Sequence, residues 1–321
     1  MYISRCMISI ETAKKLEDLF LVKAAIMGKK LESIGGRRGV MEILSLSLAA
    51  YKSQDYEKSL KILEPLLDAI KDHPFESDGA VTYVSISDEM EWALYHYFFQ
   101  VPPGHLVKNV SSICPMDLIF RQYILASIDF GDYSCAKNAL TEVVQWNPTS
   151  AKCRLLYAIL SSAEERWDEL LGEIICCMKY VCRSKDIVHC FQYLKYYFIR
   201  KKMNKEALFC SFLRSRYSLS NDVFMDILHD MVMLIPKIGM DYMNMCDEEM
   251  EESCKKLGIT IGFNPEVVAV AQRSYEDAFL AKEYEKADYF AEVMADLKTE
   301  QEKKNALSLR QLLERHGAQI S

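Results

Sequence analysis

Cys176, Cys177, Cys182, His189 and Cys190 form the one cluster in this chain whose residue types could hold a metal ion. A zinc site needs thiolates and imidazoles that converge tetrahedrally on one point. Cys176 and Cys177 are neighbours, and adjacent side chains on a helix diverge by about 100°. No Cys-x2-Cys pair occurs in the chain. The spacing therefore favours structural thiols over a metal centre, and no metal or other cofactor is expected. The glycines Gly35, Gly36 and Gly39, flanked by Lys29-Lys30 and Arg37-Arg38, have the composition of a phosphate loop. They lack its Gly-x4-Gly-Lys-Ser/Thr order, so a surface turn is predicted there. The six histidines are dispersed, and neither His-Glu-x2-His nor Gly-x-Ser-x-Gly is present. No motif singles out a pair of carboxylates for acid–base work. The chain reads as a non-enzyme.

Helices must position whatever function there is. Of the 321 residues half are apolar, while Gly and Pro number only 12 and 8, a balance that favours an all-α fold with no strand. The formal net charge of −7 argues against nucleic acid as a partner. The 11 cysteines have no framework spacing. The first ten residues carry an Arg and are too short for an export signal, and no uncharged apolar run is long enough to span a bilayer. A reducing cytoplasm is the expected location, with no membrane partner.

Within that helical frame one stretch repeats. From Asp117, Phe120, Tyr123, Ser127, Ala136, Leu140 and Val143 form a helix–turn–helix pattern around Gly131-Asp132-Tyr133, stopped at Asn147-Pro148. From Ala151 the pattern returns through Tyr157, Ala158, Ser161, Ile174 and Cys177, with Arg154, Leu170 and Cys182 out of pattern and Arg166-Trp167-Asp168 at the turn. The period is 34 residues. Window 40–73 fits with Ile43, Leu46, Ser47, Ala50, Ser59, Leu63 and Leu66, although Pro65 should bend its second helix. Window 188–221 fits through Phe191, Leu194, Phe198 and Ala207, with Lys195 and Ser211 out of pattern. Window 268–301 fits through Ala278, Ala287, Ala291 and Met294.

These five windows resemble the tetratricopeptide repeat (TPR) family over roughly half of the chain. Trp146-Asn147-Pro148-Thr149-Ser150-Ala151 and Gly262-Phe263-Asn264-Pro265-Glu266-Val267 are also similar to landmarks of TPR proteins from anaerobic Firmicutes, a likeness that implies no activity. The resemblance implies a right-handed α-solenoid of about seven antiparallel helix pairs. Residues 1–39 would form an N-terminal helix and turn, 40–301 the solenoid with degenerate repeats at 74–116 and 222–267, and 302–321 a capping helix. In 74–116, a helix over Asp88–Gln100 carries an aromatic cluster read as core, and a second helix is expected before Pro115.

The resemblance also implies where a partner would sit. TPR proteins bind other proteins along a concave groove lined by the second, fifth, ninth and twelfth residues of each first helix. Here these are Leu118, Arg121, Leu125 and Ile128, then Lys152, Leu155, Ile159 and Ser162, then His189, Gln192, Tyr196 and Ile199. The mixed aromatic and basic run from Tyr193 to Lys202 then reads as groove wall rather than an RNA surface. Chaperone-tail-binding members use Lys, Asn and Arg at such positions to clamp carboxylates. Only Arg121 and Lys152 offer cations here, so no clamp is expected. The expected function is a protein-interaction scaffold that takes a protein or peptide in the groove, with self-association left open. The alternative is a peptide-sensing regulator that controls an effector through groove occupancy.

Overall fold

The structure, a computed structural model, describes residues 10–102, 104–239, 247–299 and 302. Fourteen α-helices, packed as consecutive pairs, hold 73% of the described residues. The chain divides into two compact units, Met1–Leu160 and Ser161–Ser321. In the first lie α1 (Ile10–Glu32), α2 (Gly36–Lys52), α3 (Tyr56–Ile70), β1 (Val81–Val84), α4 (Glu89–Phe98), β2 (Leu106–Asn109), α5 (Met116–Phe130), α6 (Tyr133–Trp146) and most of α7 (Ala151–Ala163). The second holds α8 (Trp167–Met178), α9 (Ser184–Arg200), α10 (Asn204–Tyr217), α11 (Asn221–Ile238), α12 (Asp247–Lys256), α13 (Pro265–Leu280) and α14 (Tyr284–Asp296).

The five windows each contain two helices, and one turn geometry joins them all. Gln54, Gly131, Glu165, Lys202 and Lys282, each fifteenth in its window, have φ of 62°, 92°, 57°, 60° and 63°. The N–H of the next residue donates to a carbonyl five positions back: Asp55 to Ala50, Asp132 to Ser127, Arg166 to Ser161, Met203 to Phe198 and Glu283 to Ala278, at 2.8–3.0 Å. That residue then caps the following helix with φ between −92° and −86° and ψ between 69° and 75°. A left-handed residue with this back-bond satisfies the last carbonyls of a helix while reversing the chain. Where the helices come closest, small residues are required: Ser47 and Ser59 are fully buried, their hydroxyls 2.8 Å apart, and each also donates to the other's backbone carbonyl. Past Pro65, α3 continues to Ile70.

The expectation of no strand is corrected in 74–116, where a β–α–β unit replaces a helix pair. β1 and β2 run parallel with Val81 opposite Leu106 and Val84 opposite Asn109, and α4 is the crossover. A parallel pair cannot be closed by a tight turn and needs such a crossover. The second helix expected before Pro115 is instead strand β2, whose Val107 packs with Val84, Ile86 and Tyr95. Helix α4 starts where expected because Asp88 accepts from the Met90 and Glu91 N–H groups. Its Trp92 and the Phe99 that follows it join this core, so the aromatic cluster is largely packing. Only residues 33–35 of the glycine segment form the expected turn, with Gly35 at φ of 90°; Gly36 (φ 64°) and Gly39 already lie in the first turn of α2, where a Cβ on Gly39 would lie 1.7 Å from the Ile34 carbonyl oxygen. The expected capping helix, apart from Glu302, lies outside the described residues.

Candidate functional site

The twelve groove positions differ in exposure. On α5, Leu118, Arg121 and Leu125 are half-buried and Ile128 is buried. On α7, Lys152, Ile159 and Ser162 are half-buried and Leu155 is buried. On α9, His189 and Tyr196 are exposed, while Gln192 and Ile199 are half-buried. Helix α9 is otherwise the most enclosed of the three. Ile187, Val188, Cys190, Phe191, Leu194, Tyr197 and Phe198 are all buried, so its free row is set by the 3.6-residue period alone. Along that row the Gln192 amide donates to the Tyr196 hydroxyl, and the Tyr196 ring stands edge-on to Tyr193 at 5.9 Å.

The two residues out of pattern in this window explain each other. Lys195 is buried, and its Nζ donates to both carboxylate oxygens of Asp230 on α11 at 2.8 and 3.0 Å. Ser211 on α10 donates to the same carboxylate at 2.7 Å. A buried charge is tolerable only when paired and hydrogen-bonded, and this triad ties α9, α10 and α11 together. Asp230 was missed in the sequence because its partners come from other helices. A second ionic contact joins α10 to α11, where Arg214 Nη2 meets Asp226 Oδ2 at 2.9 Å. With its aspartates turned toward α9 and α10, α11 leaves Phe224, Met225, Leu228, Val232 and Met233 exposed.

At the start of α9 this packing leaves a cavity of about 570 Å³. Ser184, Lys185, Val188 and His189 of α9 line it, with Arg214 and Tyr217 of α10, the Ser218–Ser220 connection, Asp222, Val223 and Asp226 of α11, and Asp296. His189 thus belongs both to the free row and to the cavity wall. Desolvation there holds its imidazole below the usual value, with Lys185 and Arg214 adding to the effect against Asp186. In the first unit a smaller cavity of about 320 Å³ lies among Leu67, Asp68, Ile70, Lys71, His73, Phe120 and Glu142.

The cysteine cluster does not converge. Cys177 and Cys190 are fully buried with sulfurs 3.5 Å apart, Cys176 is exposed, and His189 faces the cavity. Among the described residues, no group of three His, Cys, Asp or Glu could hold a metal ion. No helix among them is long and apolar enough to cross a membrane.

A buried polar network in the first unit also escaped sequence reasoning. Glu91 accepts from Asn147 Nδ2 at 2.7 Å, and the Thr149 hydroxyl donates to the Glu91 carbonyl at 2.9 Å. Desolvation, reinforced by Asp88, pushes the Glu91 carboxyl up to about 7. Nearby Asp117 accepts from Ser87 through both hydroxyl and backbone N–H, and burial pushes its carboxyl up as well. The Trp-Asn-Pro-Thr landmark is therefore an anchor: it carries the groups that fasten α4 and β1 to the α6–α7 junction, including the Ser85 N–H bond to the Trp146 carbonyl. No protein-family model matches this chain, and no curated protein matches it.

Proposed function

We propose that the chain is a helical-repeat scaffold of the tetratricopeptide kind and that it binds a partner protein or peptide. The repeat reading is supported by five turns of one geometry at one position of each window. The binding reading is carried by α9, which buries most of its surface yet leaves the row His189, Gln192, Tyr196 and Ile199 accessible, with a cavity at its head. An aromatic and polar row on a rigid helix suits a peptide segment, because the helix is already ordered and little conformational entropy is lost on binding. Tyrosine is also among the residue types that most often dominate interface energy.

Photo-crosslinking from position 196 in the native cell, followed by mass spectrometry, identifies what touches the row. Tyr196→Ala should then weaken capture of that partner about tenfold while the melting transition stays within about 0.5 kcal/mol of the parent. Undiminished capture by the folded variant would remove α9 as the binding face.

A further inference from the structure

The cavity at the head of α9 contains a donor group without an acceptor. Arg214 is 5% exposed, and among the described residues only its Nη2 is engaged, by Asp226. Its Nε and Nη1 are buried and, among the described residues, have no hydrogen-bond partner. A buried unpaired donor loses its hydration without replacement, and the loss is larger when the group is charged. Two such donors on one guanidinium at a cavity wall mark a place where acceptor oxygens belong.

An arginine in a cavity first suggests an anion, but the rest of the lining argues otherwise. Three aspartates, Asp222, Asp226 and Asp296, face one lysine and one arginine. His189 adds no charge near neutral pH, because desolvation lowers its basicity. Asp226 is held by Arg214, and Asp296 accepts the Ser184 N–H at 3.0 Å. Asp222 sits exposed in the first turn of α11, and among the described residues it has no ion-pair partner. A ligand with neutral acceptor oxygens and a cation satisfies all of these groups, whereas a phosphate or carboxylate would add charge of the sign already in excess. Val188, Leu219 and Val223 supply apolar wall for an alkyl stem, and the volume lies within the range of about 300–1,000 Å³ typical of ligand pockets.

We propose that this cavity seats a lysine- or arginine-bearing peptide segment. A backbone carbonyl of the segment takes the idle Arg214 donors, and its cationic side chain lies against Asp222. Both donors are covered in this structure, so the guanidinium has to turn to meet that carbonyl. This rests on the peptide-binding reading above and specifies the chemistry recognised at one end of the α9 row.

The test uses the full chain and three capped tripeptides, acetyl-Ala-X-Ala-amide with X as lysine, norleucine or glutamate, titrated by isothermal calorimetry. The lysine peptide should bind about fivefold more tightly than the norleucine peptide, with the glutamate peptide weakest. The lysine advantage should shrink in high salt. Asp222→Asn should erase that advantage and leave norleucine binding unchanged. Arg214→Lys should weaken all three without reordering them, and if that variant does not fold, Asp222→Asn carries the test alone. Equal lysine and norleucine affinities, tightest binding of glutamate, a lysine advantage that survives Asp222→Asn, or no binding by any of the three overturns the proposal. None of these outcomes touches crosslinking from position 196, so the broader reading stands or falls separately.

Discussion

Burial of Glu91 makes its carboxyl group a source of pH-dependent stability. Its ordinary value of 4.5 is raised to about 7 in the folded chain. Between those values the folded state holds a proton that the unfolded state has released. The Glu91 contribution is therefore greatest below about 4.5, declines as pH rises to about 7 and is level above that, a loss on the order of 3 kcal/mol. Asp117 is shifted in the same direction and adds a decline of the same sign. Glu91→Gln keeps an oxygen for Asn147 and removes the proton. In urea unfolding it should be more stable than the parent at pH 8, and its stability should fall less than the parent's between pH 5 and 7. At this scale the sequence was least legible. Lys195 and Ser211 stood out as misfits, but their shared partner Asp230, like the pairing of Glu91 with Asn147, is made by packing, and no local periodicity encodes it.

At the scale of elements much more could be read. The windows beginning at Val40, Asp117, Ala151, Val188 and Val268 each place their turn at the same position, because apolar and small residues recur with the helical period and fix where each helix must end. What could not be read was the left-handed residue itself: Gly131 announces it, but Gln54, Glu165, Lys202 and Lys282 do not. Nor were β1 and β2 read, since Val81-Thr82-Tyr83-Val84 and Leu106-Val107-Lys108-Asn109 are four-residue runs beside a stronger helical signal in α4. The turn geometry carries a prediction. A left-handed conformation costs a residue with a Cβ about 1–2 kcal/mol, against about 0.5–1 kcal/mol of extra entropy lost by glycine. Lys202→Gly and Lys282→Gly should thus each raise stability, by up to about 1 kcal/mol, and Gly131→Ala should lower it by a similar amount. Thermal unfolding of the three variants checks the sign at each site.

At the scale of the whole chain, two units of similar size are each built largely from neighbours in sequence. The β–α–β unit of the first departs from that rule, as does the Ser184–Asp296 contact of the second across 112 residues, and the former bears on the order of events in time. Ser47 and Ser59 meet across 12 residues, whereas Asn147 meets Glu91 across 56 and β1 must await β2 from beyond α4. Closing longer loops costs more entropy before any contact offsets it, and parallel strand pairing is intrinsically slow. Helix pairs such as α5–α6 should therefore be in place at the rate-limiting barrier, and the strand pair with its Asn147 fastening should form after it. In stopped-flow folding, Leu140→Ala should act mainly by slowing refolding, while Asn147→Ala should leave refolding nearly unchanged and accelerate unfolding. The same two substitutions acting on the opposite limbs would show that the strand pair forms early and the helix pairs assemble around it.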